Sequence, residues 1–236
     1  MNEDPYRFFG SAQMQALFAR ELAALAPILS GVYGNYGLFL RASAAPRLPL
    51  PPHLLNRIVE LTLTPAGECR GEVRCDPRHL PFASESFKLL IAQHCYECCG
   101  DSAQVAAELA RVMAPEGVAL ILGFNPLGSW RPWLSGQARR NGARLYLRSA
   151  AGWRELLARE QIDTLDVRFP GTLWPRETLP APHAARVAAR FARFGSSWLL
   201  LAHKRRSTLT PLRLRTAGRE LAVKPHLVPG AHRECA

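Results

Sequence analysis

Three small groups of residues in this sequence have types and spacings that could do chemistry. Gln93 and His94 stand directly after an apolar run, and a histidine whose ring titrates near neutrality could serve as a general base. The plainer role for His94 is structural. Cys95 and Cys98 have the Cys-x-x-Cys spacing of a metal or redox pair, with His94 and Cys75 candidates to lie close by. A zinc site needs a second ligand pair at suitable spacing, so no metal is assigned. The six cysteines read instead as reduced thiols packed as small apolar residues. Gly31, Gly34 and Gly37 form the third group, interleaved with Tyr33 and Tyr36. They read as a turn, with the best strand following at 38–41; if the strand lies earlier, at 27–30, they could form a cofactor loop.

The elements that must position these residues follow from periodicity. Residues 88–92 are a short apolar run of the kind buried in a parallel sheet. Asp101 caps a helix, with Gln104 able to close a capping box, and Val105, Leu109 and Val112 give it one apolar stripe. Pro115, Glu116 and Gly117 break that helix before a second buried strand at 118–124. Strand, helix and strand with short connections make a right-handed crossover unit. Further strands are predicted at 56–63, 72–75, 163–169 and 197–204, the last two antiparallel at a sheet edge. Helices are predicted from Ser11 to Pro27, at 149–159 and, strongly basic, at 184–194. Residues 46–52 are a proline-rich connector where a helix would normally stand, and 128–142 read as a loop with two tryptophans and three arginines.

The run Asp76, Leu80-Pro81-Phe82, Ser86-Phe87, Gln93-His94 and Glu108-Leu109-Ala110-Arg111-Val112-Met113-Ala114-Pro115-Glu116-Gly117 resembles the later motifs of class I S-adenosylmethionine (SAM)-dependent methyltransferases of the type 11 kind. Gly123, Phe124, Asn125 and Pro126 resemble, more narrowly, a proteobacterial subgroup. The resemblance implies an α/β fold: a Rossmann-like, seven-stranded, mostly parallel sheet with one antiparallel strand and helices on both faces. It implies methyl transfer from SAM to an acceptor that the sequence does not name. Implied cofactor contacts are Ala42, Ser43 and Ala44 in a loop lacking the family's glycines, Asp76 toward the adenine amine, and Leu80, Gln93 and His94. Asp76 read alone is equally an Asp-Pro turn. Glu60 is the one candidate for the ribose acid, and it falls mid-strand rather than at a strand end. Asn125-Pro126 follows the fifth strand rather than the fourth, so no catalytic role is carried onto it.

The missing glycines leave a second reading: a non-catalytic descendant that keeps the fold, has lost SAM binding and serves as a binding or scaffolding protein. A formal charge of +11 and a pI near 10.0, nearly all from arginine, admit nucleic acid or an acidic protein as partner. They fit a solvated basic surface equally well. Residues 1–206 are expected to form the methyltransferase-like domain and 207–236 a basic, extended or disordered tail. No apolar run is long enough to span a membrane, and the acidic start lacks a signal-peptide pattern, which predicts a cytoplasmic protein.

Overall fold

The computed structural model describes residues 4–42, 48–175 and 191–205. Its centre is one eight-stranded sheet in the order β4-β3-β2-β1-β5-β6-β8-β7. The strands are β1 (Tyr33–Arg41), β2 (Leu54–Leu63), β3 (Cys69–Gly71), β4 (Arg74–Cys75), β5 (Phe87–Gln93), β6 (Met113–Phe124), β7 (Ile162–Arg168) and β8 (Ser197–Lys204). The four central strands β2, β1, β5 and β6 are mutually parallel. β8 runs against β6 and β7 against β8, as the sequence predicts for the edge.

Alternation along the central strands divides the core in two. Leu38, Leu40, Leu90, Ala92, Ala119 and Ile121 face α2 (Ser102–Val112) and α4 (Ala150–Arg159). Phe39, Leu89, Ile91, Leu120 and Leu122 face α1 (Ala12–Leu29) through Leu22, Leu25 and Leu29. This is the period-two pattern of a sheet covered on both faces. A third cluster lies over the carboxyl ends of β1 and β6. It joins Phe8, Phe9, Met14, Leu17 and Phe18 to Ala42, Phe124, Trp130 and Leu134.

Five features depart from the sequence reading. The sheet has eight strands rather than seven, with two, β3 and β8, running against the rest. The cause is a hairpin: residues 64–68 turn β2 back into β3, a strand the sequence reading did not include. The three glycines open no cofactor loop. Gly34 and Gly37 lie inside β1, where a Cβ would come within 2.9 Å of Lys88 Cβ or Leu55 Cδ1. Residues 27–29, the alternative first strand, are the last turn of α1. The 128–142 segment is not a loop but contains α3 (Arg131–Arg140), with Pro at its start and Leu134 and Ala138 buried one turn apart. Gly142, at a φ of 66°, closes it: Gly142 N donates to Arg139 O and Ala143 N to Ala138 O, a Schellman end. Finally, β6 starts at Met113, so α2 ends at Val112, three residues before Pro115. The basic helix predicted at 184–194 lies mostly outside the described residues, which begin again at Phe191, and the 207–236 tail lies wholly outside them.

Candidate active site at the carboxyl ends of the strands

In an open α/β sheet the ligand crevice lies beyond the carboxyl ends of the strands. Here β1 ends at Arg41, β5 at Gln93 and β6 at Phe124, and α1 crosses above them. The helix carries an acid on its apolar stripe: Glu21 is fully buried. Gln93 Nε2 donates to Glu21 Oε2 at 3.0 Å, and His94 Nε2 lies 2.9 Å from Glu21 Oε1. On the other side of the ring, His94 Nδ1 lies 3.4 Å from Glu97 Oε1, an ion-pair contact. Glu97 Oε1 also accepts from Phe124 N at 2.7 Å, which ties the network to the end of β6. Phe124 and Phe18 pack against the imidazole with centroids 4.0 and 5.2 Å away.

His94 itself is fully buried and has a φ of 51°, a left-handed conformation uncommon outside glycine. Burial alone would lower its pKa. The Glu21 and Glu97 carboxylates outweigh that penalty and raise it to about 10. The ring is therefore an imidazolium at neutral pH. In this closed arrangement it has no free lone pair to act as a base.

The predicted residues do not all converge. Gln93 and His94 come together under α1. Ala42 is buried beside them in the third cluster, its N–H donating to Gln93 O at 3.1 Å. Ser43 and Ala44 lie outside the described residues. Leu80 faces the core, and its peptide is held from both sides: its N–H donates to Glu108 Oε1 at 2.6 Å and its C=O accepts from Arg111 Nη2 at 3.0 Å. Arg111 also donates to Phe82 O at 2.9 Å. The Glu-x-x-Arg pair of α2 thus clasps the Leu-Pro-Phe loop, which gives that motif a structural meaning. Glu60, mid-strand as expected, pairs with the buried Arg41, whose Nη2 also donates to Leu48 O at 3.0 Å. Glu21 and Glu97 were not singled out from sequence. For Glu21 the signal was available: an acid falling in register with Phe18, Leu22 and Leu25.

Asp76 lies at a separate, open place. Arg78 grips it bidentately, with Nη2 to Oδ2 at 2.7 Å and Nε to Oδ1 at 3.0 Å, and Arg78 N donates to Oδ1 as in an Asx turn. Arg78 holds the Asp76 carboxyl below its usual range, so it is ionised. Two adjoining clefts, of about 440 and 390 Å³, share Ala66, Gly67 and Arg78. Asp76 lines the first. Cys98, Cys99, Gly100 and Asp101 line the second, at the start of α2.

A small-molecule site is commonly of this size. An ionised Asp76 on its wall is an acceptor suited to the amine of an adenine. The residues present offer one acceptor for the nucleoside end of SAM, Asp76, whose two oxygens also accept from Arg78. The ribose and sulfonium contacts implied by resemblance fit less well, since Glu60 is committed to Arg41 and Gln93 and His94 to Glu21. The cysteines around the clefts are thiols: burial pushes Cys69, Cys95 and Cys98 up strongly, and Cys99 to about 12. Among the described residues no three His, Cys, Asp or Glu side chains are grouped to hold a metal. No described helix is long and apolar enough to cross a membrane.

The model of the family described as "Methyltransferase domain" matches residues 59–121, from mid-β2 to β6. "Uncharacterized protein YafS" of Escherichia coli (strain K12) is 38% identical over 56 residues, 24% of this chain and 23% of that protein. Three solved structures share the fold. A Haloferax volcanii protein assigned as a methyltransferase, solved in complex with the Trm112 methyltransferase activator, has a TM-score of 0.56 at 13% identity, covering 86% of this chain and 99% of that one. A Bacillus halodurans protein of the same assignment has a TM-score of 0.52 at 15% identity, covering 78% and 99%. Haemonchus contortus phosphoethanolamine N-methyltransferase 2, solved with SAM, has a TM-score of 0.51 at 14% identity, covering 80% and 53%. At these identities the likeness establishes the fold, that of class I methyltransferases, and the family match lies within it at residues 59–121.

Proposed function

We propose that the chain is a SAM-dependent methyltransferase that takes the nucleoside end of its cofactor in the clefts beside Asp76, with α1 as a cover over the strand ends. The observation that carries this reading is an ionised carboxylate, Asp76, on the wall of a cleft at the carboxyl side of the sheet. SAM would supply the activated methyl group. The chain's part is to bind and orient: Asp76 accepts from the adenine amine, and the turn from Cys98 to Asp101 walls the opposite side. Opening the strand ends to an acceptor would require Glu21 to part from Gln93 and His94.

That same network favours a second reading. A fully buried Glu21 bonded to Gln93 and His94, under Phe9, Phe18 and Phe124, fills the strand ends as a non-catalytic descendant would. Calorimetric titration with S-adenosylhomocysteine separates the two. The methyltransferase reading expects micromolar binding, weakened about 10- to 100-fold in Asp76→Ala by loss of a charge-assisted hydrogen bond. No heat up to millimolar ligand, in protein shown to be folded, would favour the scaffold.

A further inference from the structure

Between Glu116 and Glu155 the chain has no acidic residue, yet it carries Arg131, Arg139, Arg140, Arg144, Arg148 and Arg154. All six are exposed. Within this stretch, residues 143–148 alternate in burial. Ala143, Leu145 and Leu147 pack against the cluster over the strand ends, and Arg144, Tyr146 and Arg148 face outward. The segment is extended but unpaired with any strand. Other parts of the protein hold it in place instead. Tyr6 Oη donates to Arg144 O at 3.1 Å, Tyr146 N donates to Glu97 O at 2.8 Å, and Trp198 Nε1 donates to Arg148 O at 3.2 Å.

The result is a comb of cation, aromatic ring and cation, with successive teeth about 6.6 Å apart and the two arginines about 13 Å apart along an extended chain. The arginine spacing is close to two phosphate steps of a stretched single strand. The Arg144 guanidinium lies 5.8 Å from the Tyr146 ring centroid, and Arg148 Nε donates to Ser102 Oγ at 3.0 Å. No described carboxylate pairs with Arg139, Arg140, Arg144 or Arg148. Asp101, beside Gly100, where an added Cβ would lie 3.5 Å from the Tyr146 ring, caps α2 through Gln104 N.

We propose that residues 143–148, with Arg139 and Arg140 at the end of α3, bind single-stranded nucleic acid. Arg144 and Arg148 take alternate phosphates, and Tyr146 stacks a base between them. The alternation of cation and ring favours this occupant, since sequence-tolerant single-strand binding combines a basic track with stacking platforms. An acidic peptide or an anionic lipid surface could also use an exposed tyrosine, and the competition arms of the test separate them. The comb runs beside Gly100 and Asp101, which also wall the second cleft. If the methyltransferase reading holds, the bound strand is the class of methyl acceptor; the binding itself needs no cofactor.

The test is fluorescence anisotropy of the full chain, without SAM, on a labelled oligouridylate twelve-mer at several salt concentrations. Tyr146→Ala should bind about 5- to 150-fold more weakly with an unchanged salt slope, while Tyr146→Phe, which keeps the ring, stays close to wild type. Arg144→Ala with Arg148→Ala should lower the slope of log affinity against log salt by about 1.4. The proposal is overturned if folded Tyr146→Ala binds as wild type does, or if inorganic polyphosphate, a polyglutamate peptide or anionic vesicles compete as well as the oligonucleotide. It is equally overturned if wild type fails to bind at low salt. Each of these outcomes is independent of whether S-adenosylhomocysteine binds.

Discussion

Glu21 is the residue whose environment most constrains the account. It is a fully buried acid on a helix, facing an imidazolium and a glutamine side chain at the end of β5. Removing it would leave a buried cation short of its partner, so Glu21→Ala should destabilise the fold by about 3–5 kcal/mol in urea denaturation. The titration behaviour of His94 gives a second check on the same contact. Its folded pKa, about 10, lies above the unfolded value near 6.5. Its contribution is therefore complete below about pH 6.5 and is lost as pH rises toward 10, because the unfolded chain gives up the proton first. Between pH 6 and 8 wild type should lose thermal stability, and Glu21→Gln should lose less. Equal slopes would mean that His94 is not held charged by Glu21. The sequence showed His94 at a strand end but not its state, since that depends on an acid 73 positions earlier in the chain.

At the scale of elements, the reading succeeded where burial enforces a pattern. β5, β8, α2 and α4 are bounded within a few residues, because apolar period and caps agree there. Asp101 does accept from Gln104 N, although the Gln104 amide turns to His79 rather than closing the box. The reading failed where one residue type has two uses. Glycines at three-residue steps looked like a turn or a cradle; Gly31 does lie in the turn after α1, whereas Gly34 and Gly37 are clearance for side chains of neighbouring strands. Arginine and tryptophan at 130–140 looked like a loop because the polar face of α3 hides its short buried stripe. Two alanine substitutions test these assignments. In Gly136→Ala, inside α3 with nothing within 4 Å of the new Cβ, stability should rise by up to about 1 kcal/mol through helix propensity. In Gly123→Ala, where the Cβ would meet Trp198 Cζ2, stability should fall by about 1–3 kcal/mol. Thermal melts of both variants decide, and a loss on Gly136→Ala would contradict a helical α3.

Across the whole molecule, the methyltransferase-like fold was legible because its later half is conventional: Glu108 and Arg111 clasp the Leu-Pro-Phe loop, and β5, α2 and β6 form a crossover unit. The first half is reduced. The connection from β1 to β2 has no described helix, and β2 folds back through a hairpin. This is where a cofactor loop was expected and where Ser43 and Ala44 fall outside the described residues. The clefts beside Asp76 were not visible in sequence, since they form between turns that periodicity does not bring together. The most direct measurement is amide hydrogen exchange with and without S-adenosylhomocysteine. The account predicts added protection at 76–80 and 98–104, on both walls of the clefts. Ligand-induced protection confined to other segments, or none at millimolar ligand, would contradict it.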